Sequence, residues 1–291
     1  MELETVGNSG IVVSKLGFGC MSLEGSQKYI TNLIRKAVDH GITLFDTADM
    51  YDQGQNEVWL GNALAGVRDE VVLATKVGHN WGAEGYTWDP SYDSIIKGVE
   101  GSLRRLQTDH IDLYQLHGGT LEDPIDDLIR AMEELKKSGK IREWGISSIR
   151  PNVIREYLHR TKPAAIMMQY SLFDRRPEEE CLDLLHKNNI GVLARGPIAK
   201  GLLAGKAPRA YLDHSDEEIK NYQKILRSLG DPLSIALDYL RENKAVSSSV
   251  VGIRTVEQLD QIIHAWDHKP HDSITKKIAG LIPASLYTNH R

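Results

Sequence analysis

The sequence predicts an α/β fold: a single (β/α)₈ TIM barrel over residues 1–291, with an N-terminal β-hairpin closing the barrel bottom. Two observations lead there. Eight short β-rich runs alternate with helical sequence along the chain, the pattern of parallel strands joined by crossover helices. Several runs also stop on a polar or ionisable residue at intervals of roughly thirty residues, a βαβ repeat length, and a barrel gathers such residues on its C-terminal rim. The length of 291 residues suits one barrel of about 250 residues with insertions.

Element by element, Leu3-Glu4-Thr5 faces Val12-Val13 across Gly7-Asn8-Ser9-Gly10, a hairpin signal. Leu16-Gly17-Phe18-Gly19 is the first barrel strand. Residues 30–39 form a helix with Ile30, Leu33, Ile34 and Ala37 on one face. Residues 43–46 are the second strand, 57–64 a helix and 71–75 the third strand, followed by a long loop to Pro90. The helix over 92–106 turns Ile95, Ile96, Val99 and Leu103 inward. Residues 111–115 are the fourth strand, and the helix over 125–137 stops at Lys136-Lys137-Ser138-Gly139, cations in its last turn and glycine beyond. The fifth strand starts at Ile141, and its helix at Pro151. Strand six spans 164–168 with a helix over 177–186, strand seven 191–194, strand eight 247–251, and a helix follows from about Val256. A polar stretch at 206–231 holds at least one extra helix. A doubly wound sheet would need a nucleotide fingerprint after the first strand; Gly17-Phe18-Gly19-Cys20-Met21-Ser22 lacks the third glycine.

The composition is 41% hydrophobic and 26% charged, compatible with a large core. A net charge of −5 without long basic runs argues against nucleic acid. Cys20 and Cys181 are too few and too far apart for a disulfide framework or a zinc site, so no metal is expected. The N-terminus lacks signal-peptide character, and no run approaches the roughly 18 apolar residues of a membrane span. These features predict a soluble cytoplasmic protein.

Four rim segments carry the chemistry: Leu44-Phe45-Asp46-Thr47-Ala48-Asp49-Met50-Tyr51, Val71-Val72-Leu73-Ala74-Thr75-Lys76, Ile111-Asp112-Leu113-Tyr114-Gln115-Leu116-His117 and Ile141-Arg142-Glu143-Trp144-Gly145-Ile146-Ser147-Ser148. Singly, Asp46 reads equally as a helix cap, Lys76 as a snorkelling rim lysine, His117 as a loop histidine and Tyr51 as a packed aromatic. Together they read differently, because strands two, three and four are neighbours in a barrel. A buried ammonium beside a tyrosine lowers the phenol pKa, and a carboxylate keeps that ammonium charged. Such a tyrosine protonates an oxygen becoming an alkoxide, and a neutral histidine hydrogen-bonds the same oxygen. The hydride must come from elsewhere, which implies a nicotinamide.

These residues resemble the aldo-keto reductase family. The matching segments are Leu16-Gly17-Phe18-Gly19-Cys20-Met21, Asp46 to Tyr51, Asn56-Glu57 with Leu60-Gly61, Ala74-Thr75-Lys76, Ile111 to His117, and Gly139-Lys140-Ile141-Arg142 leading to Gly145-Ile146-Ser147. Gly191 to Ala194 with Pro197 and Gly201-Leu202-Leu203, and Gly252 with Glu257-Gln258-Leu259, extend the likeness over roughly residues 2 to 265. The run Ala194 to Leu203, Asp174-Arg175-Arg176-Pro177-Glu178-Glu179 and the terminal Tyr287 to Arg291 resemble its bacterial YqkF-like subgroup.

The resemblance implies Tyr51 as proton donor, Lys76 and Asp46 as its tuning pair, and His117 as the carbonyl-orienting residue. It assigns the nicotinamide carboxamide to Ser147, Ser148 and Gln169. Further cofactor contacts fall on Gly19, Cys20 and Met21, on Arg195, Gly196, Pro197, Ile198, Lys200, Gly201 and Leu202, and on Gly252, Arg254, Gln258 and Gln261. Five positions depart from the family: Ser148 where Asn is common, Arg195 where an aromatic usually packs on the nicotinamide, Thr255 for a basic residue, and Gln261-Ile262 for a Glu-Asn pair. A guanidinium is flat enough to stack in the aromatic's place, and Arg254 suits a 2′-phosphate. The expected cofactor is therefore NADPH, with NADH not excluded.

Trp81, Tyr86 and Trp88 lie in the loop after strand three, and Trp81 is the candidate substrate wall, favouring small or aromatic aldehydes and dicarbonyls. The expected partner is a small carbonyl compound and the expected state a monomer. Two other functions stand beside the reductase: a nicotinamide-binding regulatory or sensor subunit, and an unrelated barrel hydrolase or isomerase. The hydrolase would need a rim carboxylate pair; Asp46 and Asp49 come closest, and Lys76 explains Asp46 better.

Overall fold

The computed structural model describes residues 1–82, 85–270 and 273–291. A hairpin of β1 (Leu3–Thr5) and β2 (Val12–Ser14) precedes the barrel strands β3 (Leu16–Gly19), β4 (Leu44–Asp46) and β5 (Val72–Val77). A second hairpin, β6 (His79–Gly82) and β7 (Gly85–Trp88), interrupts them before β8 (Ile111–Leu116), β9 (Ile141–Ser147), β10 (Ala165–Gln169), β11 (Gly191–Arg195) and β12 (Val246–Gly252). Each barrel strand pairs in parallel with the next, and β12 returns to β3, so the barrel closes. The (β/α)₈ expectation holds. So does the floor: Val6, Ile11 and Val13 of the first hairpin pack into one cluster with the strand side chains Leu44, Leu113, Met167 and Leu193. That packing removes the apolar side chains at this end of the barrel from water.

The connecting helices are α1 (Gln27–Asp39), α2 (Gln55–Leu64), α3 (Tyr92–Leu106), α4 (Ile125–Lys137), α5 (Pro151–Arg160) and α6 (Cys181–Lys187). After β11 come α7 (Asp216–Leu229) and α8 (Pro232–Arg241), and after β12 come α9 (Val256–Asp267) and α10 (Ser273–Leu281). Helix α1 begins three residues before the apolar stripe because the Ser26 hydroxyl caps it, accepting from Tyr29 N–H. The sixth helical run is divided: a 3₁₀ turn over Arg176–Glu179 is separated from α6 by Glu180, whose φ of −154° leaves the helical region. The extra helix of the polar stretch is α7, fixed by a Ser215/Glu218 capping box. Gly61 lets α2 approach α3, since a Cβ there would sit 2.5 Å from Leu106 O. Among the described residues no helix is long and apolar enough to cross a membrane.

The segment after β5 departs from the expected loop. His79 pairs with Trp88 and Trp81 with Tyr86 in an antiparallel ribbon, which stands over the C-terminal rim and continues the polypeptide from Lys76.

Candidate active site

Register brings the rim residues together. Asp46 ends β4 beside Gly19 of β3 and Ala74 of β5, and Lys76 of β5 lies opposite Gln115 of β8. His117 follows β8, its N–H donating to Val77 O at 2.7 Å. Lys76 is 1% exposed, and its Nζ donates to Asp46 Oδ1 and Oδ2 at 2.8 and 2.7 Å and to Thr47 O at 2.7 Å. A buried ammonium with these acceptors is satisfied. Gln115 Nε2 donates to Asp46 Oδ1 at 3.3 Å; sequence reasoning passed over this residue, though its strand position beside Lys76 was readable.

Tyr51 reaches the pair from the loop after β4. Its N–H donates to Ala48 O, and Asp52, Gln53 and Gly54 then run at φ of 46°, 56° and 85°. Two non-glycine residues in left-handed conformation store strain of about 1–2 kcal/mol each, and they turn the chain sharply so that the phenol faces inward. The Tyr51 ring meets His117 edge to face at 5.7 Å, and Lys76 Nζ lies 5.1 Å from its centroid. Asp46, Tyr51, Lys76 and His117 therefore form one constellation.

Its electrostatics differ from the sequence expectation in one respect. Burial pulls the Lys76 ammonium down, but Asp46 and Tyr51 outweigh it and the net direction is up, so the lysine stays charged. Tyr51 is raised, not lowered: burial dominates, Lys76 pulls it down, and Asp46 pushes it back up. The carboxylate that orients the lysine also cancels much of its charge at the phenol. His117 is pushed down to about 2, by burial first and then by Lys76, His79 and Arg195. It is a neutral imidazole, able to donate one N–H.

Asp49 follows Asp46 by three residues, its N–H donating to Lys76 O, and its Oδ1 is buried without a hydrogen-bond partner among the described residues. Burial and the nearby Glu57 raise it to about 7. Glu57 itself accepts from Thr75 Oγ1 and from Arg105 Nε. A carboxyl with a raised folded-state pKa holds its proton more tightly when folded, so its contribution to stability declines as pH rises from about 4 to 7. Asp49→Asn is accordingly expected to gain about 2 kcal/mol at pH 8, after allowance for partial solvent contact, and little at pH 4. Urea unfolding at the two pH values checks this; equal gains would refute it.

The expected cofactor positions lie at or after the ends of β3, β9, β10, β11 and β12. Gln169 and Arg195 are register partners at the ends of β10 and β11, and Arg195 Nη1 donates to Gln169 Oε1 at 3.1 Å. Ser147 ends β9 and is half-buried, while Ser148 is buried with its Oγ accepting from Arg150 N–H at 3.2 Å. Met21, Arg195, Lys200, Gly252, Arg254, Gln258 and Gln261 are exposed, and Gly19, Cys20, Pro197, Gly201 and Leu202 are buried. Ile198 and Gly196 are intermediate, Gly196 at a φ of 69°. Cys20 is fully buried, and its carbonyl accepts from Asn56 Nδ2 at 2.8 Å. Gln258 Oε1 accepts from Arg254 N–H, and Thr255, which replaces the family's basic residue, caps α9. The donor set fits a nicotinamide dinucleotide: a half-buried Gln169 amide at the end of β10, a planar Arg195 bonded to it, and an exposed Arg254 after β12.

The ribbon walls the other side. His79 lies 5.6 Å from His117 and 5.0 Å from Trp88, the Trp81 and Tyr86 rings lie tilted against each other at 3.7 Å, and Tyr86 Oη donates to Met50 O at 2.6 Å. Trp81 is 45% exposed, leaving apolar ring surface free. Groups of three or more His, Cys, Asp or Glu suited to a metal are absent among the described residues.

Comparison with known proteins agrees with this fold. The sequence profile described as "Aldo/keto reductase family" matches residues 15–282. The chain is 47% identical to an uncharacterized oxidoreductase, YqkF, of Bacillus subtilis, with all of both chains covered. It is 36% identical to the aldo-keto reductase YhdN of the same organism, over 75% of this chain and 68% of that one. Among solved structures it resembles aldo-keto reductase AKR11C1 from Bacillus halodurans, with a TM-score of 0.96 to the holo form at 43% identity, covering 100% of this chain and 99% of that one. Barrel, rim constellation and full-length similarity converge: the chain belongs to the aldo/keto reductase family, close to YqkF, and is an oxidoreductase of the type that works with a nicotinamide cofactor.

Proposed function

We propose that the protein reduces aldehydes and ketones to alcohols with NADPH, Tyr51 supplying the proton. The observation that carries this reading is the Tyr51 phenol set against a buried, charged Lys76 and a neutral His117. A bound nicotinamide supplies the hydride. Tyr51 Oη holds the proton that the carbonyl oxygen takes up as negative charge develops on it. Lys76 stabilises the phenolate left behind, Asp46 keeps Lys76 protonated and in place, and His117 donates a hydrogen bond that orients the carbonyl. Trp81 and the ribbon shield the reacting carbonyl from water and favour small or aromatic aldehydes and dicarbonyls. The protein would act as a cytoplasmic monomer. Oxidation of NADPH, and separately of NADH, with 4-nitrobenzaldehyde and methylglyoxal tests the proposal; tight cofactor binding without turnover of any carbonyl would sink it.

Preference for the 2′-phosphate rests on Arg254. Its side chain is 51% exposed, and its ion-pair partner among the described residues is the still more exposed Glu24, at 3.6 Å. Such a pair is weak enough to yield to a phosphate. Arg254→Ala is expected to raise KM for NADPH about tenfold, the worth of one charged hydrogen-bonding group, and to leave KM for NADH within about twofold. Equal changes for both cofactors would remove Arg254 from the specificity argument.

A further inference from the structure

The motif Asp174 to Glu179 and the C-terminal residues from Tyr287 lie outside the proton-transfer chemistry, yet they meet beside Gln169. Asp174 is fully buried. A tight turn returns it toward the strand end, Ser171 and Asp174 exchanging N–H···O bonds at 3.1 and 3.0 Å. Arg176 grips its carboxylate through two bonds, Nε to Oδ1 at 2.7 Å and Nη2 to Oδ2 at 2.8 Å. The Arg176 guanidinium in turn lies 5.3 Å from the ring of Tyr287, whose N–H donates to Glu179. The C-terminal segment thus closes over the arginine that fixes Asp174.

Asp174 Oδ2 accepts from Gln169 Nε2 at 2.7 Å, and the same nitrogen donates to Tyr211 Oη at 3.2 Å. Arg195 Nη1 donates to Gln169 Oε1. An ionised carboxylate only accepts and a guanidinium only donates, so the amide has one permitted rotation. Both its hydrogens are committed to protein acceptors, and its oxygen keeps one further lone pair. Toward a ligand Gln169 can act as an acceptor alone.

The geometry points to Asp174 as a positioning residue: with Arg176 and the C-terminal Tyr287 behind it, it locks the Gln169 amide so that Oε1 is presented to an N–H donor, the amide nitrogen of the nicotinamide carboxamide. This rests on the reading that Gln169 contacts that group, and it assigns the Asp174 motif and the C-terminal segment a part in cofactor orientation.

Affinity for NADPH and for 2′,5′-ADP, which lacks the nicotinamide, separates the possibilities. Asp174→Asn can turn an amide N–H toward Gln169 and loosens the lock; it is expected to weaken NADPH about fivefold, the worth of one oriented hydrogen bond, and to leave 2′,5′-ADP unchanged. In a Gln169→Met background the same substitution is expected to add nothing, since the two act as one unit. Because Asp174→Asn leaves Arg176 without its buried partner, Asp174→Asn/Arg176→Gln is measured alongside and should show the same split. Equal weakening of both ligands, or a full Asp174 effect in the Gln169→Met background, overturns the positioning role. Gln169→Met that leaves NADPH affinity intact overturns the reading of Gln169 itself, whereas a weak Gln169→Met with a silent Asp174→Asn overturns the inference alone.

Discussion

Tyr51→Phe is expected to lower carbonyl turnover by about 10³-fold or more, in the range that a lost general acid costs, while NADPH affinity stays within about twofold. Only the Oη is removed. The ring keeps its edge contact with His117, and Lys76 keeps all three bonds to Asp46 and Thr47, so the barrel rim has no reason to rearrange. The wild-type pH profile belongs to the same prediction. A general acid must carry its proton, so reduction falls as pH rises through the donor's pKa. Burial holds Tyr51 above its ordinary value in the free protein, and His117, near 2, does not change charge between pH 5 and 9. The kcat/KM for reduction should therefore be level across neutral pH and decline only above about 10, the ordinary phenol value. Wild-type turnover in Tyr51→Phe would falsify the assignment of the donor.

The barrel was legible because its strands and helices obey local rules. Helices α3 and α4 span the residues where the apolar stripes and, for α4, the Lys136-Lys137-Ser138-Gly139 stop place them. The four rim residues were legible because each interrupts an apolar run, and barrel topology does the rest. What escaped was set by contacts across the chain. The β6–β7 ribbon has too few residues and too much exposure for a period-two burial pattern, so it reads as loop. The direction of the Tyr51 shift needs the depth of burial and the placement of Asp46 against Lys76, and residue type reveals neither. Cys20, just after the first barrel strand, is fully buried, which no motif states. Gln115 and Asp174 were visible as residues but not as partners, since each matters through a side chain elsewhere in the sequence.

Lys76→Met should have the largest effect on stability and nearly as large an effect on rate. The substitution removes the ammonium from a site that is 1% exposed and leaves Asp46 buried without its counter-ion. Breaking such a pair costs about 3–5 kcal/mol, because the remaining charge is stranded in a poor solvent. Burial already raises the Asp46 carboxyl, and without Lys76 it rises further. A folded-state carboxyl pKa above its unfolded value makes stability fall as pH increases, so the deficit should be larger at pH 8 than at pH 5 in urea unfolding. Asp46→Asn/Lys76→Met removes both charges and should recover most of the lost stability, to within about 1–2 kcal/mol of wild type. Turnover should not return with it, because nothing then stabilises the phenolate that Tyr51 becomes after giving up its proton. Stability that recovers while the rate stays low separates the chemical role of Lys76 from its part in holding the rim together. If the double variant regained wild-type turnover, the pair would be structural, and the proton donor would have to be tuned by some other group at the barrel mouth.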